Sequence, residues 1–236
     1  MWDIVLITDE IVNFDENISI QDRCLEGNSK FATEDAIQAF KKITGRLSHY
    51  TSIEAFNNNI NIHKNDIVFP MYYGINLPSS KSLIPALCES NKIKYVGADM
   101  YTHALCNDKY LSKAYAQEFG ISSAVGVLLT EFKDQDLLIR KLRTLTPPLI
   151  VKPNFGGGST GITKNNVVYT YNKAIEYAFM LFKIHKIPIL VEQLLSGYEV
   201  SYVIVGNKNR IILEDEFKLV INGEDFFFRR YLVNGI

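Results

Sequence analysis

Lys152-Pro153-Asn154-Phe155-Gly156-Gly157-Gly158-Ser159-Thr160-Gly161 is the stretch whose surroundings decide how this chain is read. Residues 156–161 match G-x-G-x-x-G, the dinucleotide fingerprint, but that fingerprint needs a helix starting on the glycines so that its free amides meet a pyrophosphate. The residues after Gly161 are Ile162-Thr163-Lys164-Asn165-Asn166-Val167-Val168-Tyr169, β-branched and broken by an Asn-Asn turn, with no helical pattern before Thr170. The loop is therefore expected to join two strands, and a nicotinamide-dependent oxidoreductase loses its context. The P-loop pattern fails as well, because Ile162 stands after Gly161 where Lys and Ser or Thr are required. A glycine-rich loop between strands can still bind phosphate, since glycines reach φ > 0 and let successive N–H groups point into one concavity. Ser159 and Thr160 add hydroxyl donors, and Lys152 adds charge worth about 4 kcal/mol before desolvation, at 4 Å and an effective dielectric near 20. A surface hairpin that is merely rich in glycine has the same composition, so the loop alone leaves both readings open.

Outward from the loop the chain alternates strand and helix, which favours α/β layers. On the N-terminal side, Pro148 to Lys152 reads as a strand, Asp136 to Leu145 as a helix and Val125 to Leu129 as a strand. Asp108 to Phe119 carries Leu111, Ala114, Tyr115 and Phe119 on one face, and Gly120 ends it as a C-terminal cap. Further back, strands are expected at Ile4 to Thr8, Asp66 to Pro70 and Ile93 to Val96. Thr33 reads as the cap of a helix running to Gly45, and Ser79 or Ser80 as the cap of one running to about Glu89. On the C-terminal side, Val167 to Tyr169 is a short strand and Thr170 caps a helix carrying Ala174, Ile175, Ala178, Phe179 and Phe182. Ile189 to Glu192 is a strand, and the remainder reads as hairpins with turns at Gly206-Asn207 and Asn222-Gly223. A domain boundary is expected near residue 106.

The bulk composition removes several function classes. At 236 residues with 47% hydrophobic and 22% charged content, the chain can bury one large or two modest cores, so disorder is not the default. Lys+Arg 25 against Asp+Glu 26 gives a net charge of −1 with no basic block, which speaks against nucleic acid as a partner. Met1 to Glu10 lacks the basic flank and cleavage site of a signal peptide, and no apolar run approaches the roughly 20 residues needed to span a bilayer. Cys24, Cys88 and Cys106, like His49, His63, His103 and His185, are scattered without metal-ligand or disulfide spacing. A reducing cytoplasm is the expected compartment.

Four ordered motifs carry a family resemblance. They are Asn107-Asp108-Lys109-Tyr110-Leu111-Ser112-Lys113 ending at Gly120-Ile121, then Pro148 to Pro153, then the glycine loop, then Ile189-Leu190-Val191-Glu192-Gln193-Leu194-Leu195-Ser196-Gly197-Tyr198-Glu199-Val200-Ser201. Together with Tyr95-Val96-Gly97-Ala98 they resemble the D-alanine-D-alanine ligases of the ATP-grasp superfamily, from about Lys94 to Val205. The resemblance implies an α+β ATP-grasp architecture: an N-terminal parallel-sheet domain over 1–106, a small subdomain with the glycine-rich lid over 107–187, and the start of a C-terminal subdomain over 188–236. It implies ATP with Mg2+, small carboxylate and amine substrates such as amino acids, no membrane, and a homodimer. It also implies site roles. Lys109 and Lys152 would meet ATP phosphates, and Gly156, Gly157, Gly158, Ser159, Thr160 and Gly161 would close over them. Backbone groups of Gln193 and Leu195 would read the adenine edge, Glu192 would accept from its exocyclic amine, and Glu199 would take the ribose hydroxyls. The reaction implied is attack of a carboxylate on the γ-phosphate, giving an acyl phosphate that an amine displaces. Each of these residues also has a plainer role open to it, as a solvated helix lysine or an ordinary strand carboxylate.

Two departures bear on substrate and catalysis. Thr8-Asp9-Glu10 and Tyr72-Tyr73-Gly74-Ile75-Asn76-Leu77-Pro78 stand where the family has a glycine-rich turn and a His-Gly segment, so the substrate need not be D-alanine. The family's magnesium carboxylates and catalytic arginine come after the final hairpins, and the residues up to Ile236 hold no such pattern. Glu214, Asp215 and Glu216 read as a solvated hairpin, and Lys218, Arg229 and Arg230 could approach the γ-phosphate. A fragment of a ligase and a catalytically incomplete ATP-binding module, or one part of a split enzyme, are both expected readings.

Overall fold

The structure is a computed structural model that describes residues 2–9, 30–73, 79–157, 162–197, 200–207, 209–218, 220–221 and 224–225. Two sheets with separate hydrophobic cores make up most of it.

The first sheet is parallel throughout, in the order β2-β1-β3-β4, with β1 (Ile4–Thr8), β2 (Leu47–Tyr50), β3 (Ile67–Met71) and β4 (Lys94–Tyr95). Parallel neighbours require crossovers. These are α1 (Lys30–Lys41), then α2 (Ile53–Asn59) with a 3-10 turn at Ile60–His63, then a 3-10 turn at Ser80–Ser82 with α3 (Leu83–Ser90). Val5, Leu6 and Ile7 of β1 are all fully buried, as the continuous apolar run of a central parallel strand demands. The edge strand β2 is tied down by polar contacts: Tyr50 Oη lies 2.8 Å from His63 Nε2, and His63 Nδ1 lies 2.7 Å from Asp66 Oδ2. Arg46 closes the network by donating to Asp66 at 3.0 Å.

Several sequence expectations shift here. Thr33 is not a cap: it lies inside α1, Lys30–Lys41, and is buried at 1% exposure. Strand β2 and the helix α4 (Met100–Asn107) were not expected at all. Leu47-Ser48-His49-Tyr50 is half polar because only part of an edge strand is covered, so it lacks a clear period. In α4 the apolar residues Met100 and Tyr101 are exposed, so no buried stripe marks it, although Asp99 caps it by accepting from Thr102 N at 2.7 Å.

In α3, Cys88 is fully buried. Burial, and secondarily the Glu89 carboxylate, pushes its thiol up to about 12. Only the thiolate attacks an electrophile. At pH 8 a maleimide is therefore expected to modify the exposed Cys106 and leave Cys88 untouched, read by peptide mass mapping of the folded protein. Equal labelling of the two would show that this core opens readily.

The second sheet is antiparallel, in the order β5-β8-β6-β7, with β5 (Gly126–Leu129), β6 (Leu149–Pro153), β7 (Val167–Val168) and β8 (Ile189–Gln193). Strands β6 and β7 pair across the glycine loop, with Leu149 opposite Val168 and Ile150 opposite Val167, so the loop does join two strands. Past it come a 3-10 turn at Lys164–Asn166 and then β7, not a helix. Thr170 caps α7 (Tyr171–His185), accepting from Lys173 N at 3.3 Å. One face of the sheet carries Leu149, Val151, Ile189 and Val191 into a core shared with α7 and α6 (Gln135–Leu142). Each such side chain contributes roughly 1.5–3 kcal/mol by leaving water. The alternation of strand side chains leaves Ile150, Lys152, Leu190 and Glu192 on the opposite face.

The helix α5 (Lys109–Glu118) comes directly after α4, with Asp108 as its cap accepting from Leu111 N at 2.9 Å, and Gly120 at φ +74° closes it as expected. Beyond the second sheet, β9 (Val200–Asn207) and β10 (Arg210–Lys218) form a hairpin. Gly206 is not its turn. It lies within β9 opposite Ile211, where a Cβ would stand 2.4 Å from the Arg210 carbonyl oxygen, so close approach of two backbones is what requires glycine there. The pair β11 (Val220–Ile221) and β12 (Glu224–Asp225) is antiparallel with Ile221 opposite Glu224, and the turn expected at Asn222-Gly223 lies outside the described residues. Among the described residues no helix is long and apolar enough to cross a membrane.

Candidate functional site

The opposite face of the antiparallel sheet gathers charge. Lys152 of β6 lies opposite Leu190 of β8, so Glu192 is its diagonal neighbour on the same face, within reach of a long side chain. The Lys152 ammonium pairs with Glu192 Oε1, and the Lys113 ammonium, reaching across from α5, pairs with Glu192 Oε2. The three side chains are 16%, 7% and 25% exposed for Lys152, Glu192 and Lys113. A carboxylate so enclosed is tolerable only because two cations share it. Gly126 of β5 lies opposite Glu192, and a Cβ there would stand 3.2 Å from the Glu192 Cβ and 3.0 Å from Leu190 Cδ1. Glycine at 126 therefore leaves the Glu192 side of this face clear.

Lys109 lies one turn before Lys113 on α5, about 6 Å along the axis, and serves a different partner. Its ammonium donates to the carbonyl oxygens of Pro153 at 3.0 Å, Phe155 at 3.2 Å and Gly156 at 2.7 Å, with Asn154 O at 3.4 Å. A knot of amides and side chains reinforces this grip on the loop root. Lys109 N donates to Asn154 O at 3.0 Å, Tyr110 N to Asn154 Oδ1 at 2.9 Å, and Asn154 Nδ2 to Asp108 Oδ1 at 2.8 Å. Gly156, at φ +88°, gives its N–H to Asn107 Oδ1 at 3.2 Å. Lys113 and Lys152 thus share the single carboxylate of Glu192, while the Lys109 ammonium sits at the root of the glycine loop, where the strand bearing Lys152 runs into it. That arrangement suits a polyphosphate.

Of the residues expected in the site, Lys109, Lys152, Gly156, Gly157 and Glu192 converge here. Gln193 ends β8, and its N–H is engaged by Val125 O at 3.0 Å. Leu194 N makes the last strand bond, to Pro148 O at 2.9 Å, and Leu195 beyond it is 63% exposed, open to a flat apolar ligand. Gly158, Ser159, Thr160, Gly161 and Glu199 lie outside the described residues. At the first sheet, Tyr72 packs on the core and Tyr73 N donates to both Asp9 oxygens at 3.1 and 3.0 Å. A packing role for Tyr72 therefore accounts for its position.

Lys113, Asn107, Asp108, Asn154 and Gly126 were missed as site residues. Asp108 carried a helix-cap signal, and Lys113 lies four residues from Lys109, a spacing that puts both on one helical face. The roles of Asn154 and Gly126 depend on register across strands, for which the sequence has no local signal.

Comparison with known proteins places the chain among similar sequences and folds. Residues 117–229 match the family model described as D-ala D-ala ligase C-terminus. The vancomycin B-type resistance protein VanB of Enterococcus faecalis is 34% identical over 153 residues, covering 63% of this chain and 40% of that protein. D-alanine–D-alanine ligase B of Clostridium tetani is 29% identical over 162 residues, covering 67% of this chain and 42% of that protein. The fold matches the crystal structure of the D-alanine–D-alanine ligase from Bacillus anthracis complexed with ATP, with a TM-score of 0.60 at 19% identity, over 86% of this chain and 62% of that one. With its parallel sheet followed by antiparallel sheets, the chain has the ATP-grasp fold of that ligase structure, and residues 117–229 are similar to the C-terminal part of the D-alanine–D-alanine ligases. It spans less than half the length of the two relatives named, at 40% and 42%.

Proposed function

We propose that this chain supplies the ATP-binding part of a ligase that activates a carboxylate as an acyl phosphate and joins it to an amine, with amino acids as the substrate class. The observation that carries the reading is the Lys113–Glu192–Lys152 face beside a lysine-gripped glycine loop. The residues present fit the nucleotide. A cationic strand end suits the phosphates, and an enclosed carboxylate beside the exposed Leu195 suits a purine carrying an amine. In this reading Lys152 neutralises charge on the phosphates, Gln193 and Leu195 line the base, and Glu199 takes the ribose. Residues 156–161 then shield the activated acyl group from water. Magnesium is the natural companion of the polyphosphate. Among the described residues no group of three or more His, Cys, Asp or Glu side chains is placed to hold it, and no step is assigned to it.

The test is to incubate the full-length product with ATP, magnesium and pools of amino acids and to measure phosphate. Release that depends on an amino-acid pool is expected. ATP binding without release from any pool would contradict the ligase and leave a nucleotide-binding module.

A further inference from the structure

Glu192 poses a problem that the nucleotide reading does not resolve by itself. Both its oxygens are occupied, Oε1 by Lys152 and Oε2 by Lys113, and its side chain is 7% exposed. Binding ATP draws Lys152 toward the phosphates while asking Glu192 to accept from the base. If Lys152 were its sole partner, the carboxylate would be left enclosed and uncompensated just when it must face the ligand. A second cation that stays in place is required. Lys109 cannot serve, since its ammonium is committed to the loop carbonyls, 2.7 Å from Gly156 O.

We infer that Lys113 is a positioning residue: its salt bridge to Glu192 Oε2 holds the carboxylate in place, so that Oε1 is presented to the 6-amino group of a purine when Lys152 turns to phosphate. Three features of the structure support the assignment. Lys113 stands on α5 and not on β6, so a turn of the Lys152 side chain need not carry it along. It contacts Glu192 Oε2 and not the Oε1 that Lys152 occupies, so its bridge persists when Oε1 is released. Gly126, opposite Glu192, leaves no β5 side chain to compete for the same oxygens. Lys113 therefore sets base selectivity without touching the base. A carboxylate accepts from the amine of adenine and is repelled by the carbonyl oxygen that replaces it in hypoxanthine.

This inference rests on the proposed ATP site, and the experiment separates the two. Dissociation constants for ATP and ITP are measured by calorimetry on the full chain as wild type, K113M, K113R, E192Q and the double variant E192Q/K113M. Wild type is expected to prefer ATP by about tenfold or more, the worth of one hydrogen bond to a charged group. K113M should lose about tenfold on ATP and less than about threefold on ITP, whereas K113R, which keeps the charge, should retain the preference. Once the carboxylate is gone Lys113 has nothing to hold, so E192Q and E192Q/K113M should bind ATP equally. That pair carries the test if K113M does not fold. An unchanged ATP-to-ITP ratio in K113M, or a further fall in the double variant, overturns the role of Lys113 while leaving the ATP site standing. Wild type that binds neither nucleotide overturns the functional reading itself.

Discussion

Substituting Lys152 by methionine is expected to weaken ATP binding about 30- to 100-fold, the largest effect of any single change at this site. An ammonium near 4 Å from a phosphate contributes about 4 kcal/mol at an effective dielectric near 20, and dehydrating both groups takes back a substantial share, leaving roughly 2–3 kcal/mol. Methionine keeps most of the side chain's length and apolar stem, so the strand is not disturbed. Glu192 retains Lys113 as a partner, which is why the loss should appear in binding and not as unfolding. Calorimetric titration run beside a thermal melt separates the two effects. Equal ATP affinity in K152M would mean that the phosphates lie elsewhere.

The second large effect is on stability. Asn154 is fully buried and its side chain ties two elements together, accepting from Tyr110 N at 2.9 Å and donating to Asp108 Oδ1 at 2.8 Å. Asn154→Ala removes both bonds and leaves the first turn of α5 with an unanswered amide. Each buried group so stranded costs about 1–3 kcal/mol, and Asp108, being half-buried, recovers part of its share from water. The net loss is then about 2–3 kcal/mol, equivalent to a melting temperature lower by roughly 5–10 °C in a chain of this size. Asn154→Asp is a useful companion, because it places a carboxylate against that of Asp108 and should not rescue the loss. A melting temperature within about 1 °C of wild type for Asn154→Ala would show that the knot is not what holds the loop root to α5.

Much of the architecture was legible where one local signal governs structure. Asp108 to Phe119 with Gly120 became α5, Thr170 capped α7, and the β-branched residues after the glycine loop correctly excluded a helix there. What was not legible depended on neighbours distant in sequence. Leu47-Ser48-His49-Tyr50 pairs with β1 at a sheet edge and shows no alternation, and α4 leaves Met100 and Tyr101 outward, so neither carries the stripe that betrays a buried face. The site divided in the same way. Lys109, Lys152 and Glu192 were found because they sit in ordered motifs, but their partnerships were not foreseen. Lys152 and Glu192 are diagonal neighbours only in the β6–β8 register, with Lys152 opposite Leu190 and Ile150 opposite Glu192. Lys109 binds backbone carbonyls, and a carbonyl has no letter of its own in a sequence. Lys113, present only as the last residue of the Asn107–Lys113 motif, acquires its meaning from a carboxylate 79 positions further along.

A crystal structure of the chain with a non-hydrolysable ATP analogue shows whether the face bearing Lys113, Lys152 and Glu192 receives a nucleotide triphosphate. Phosphate density is expected against Lys152, with the purine beside Leu195 and its amine toward Glu192. Nucleotide bound away from this sheet face, with the Lys113–Glu192–Lys152 bridges intact and unliganded, would contradict this placement.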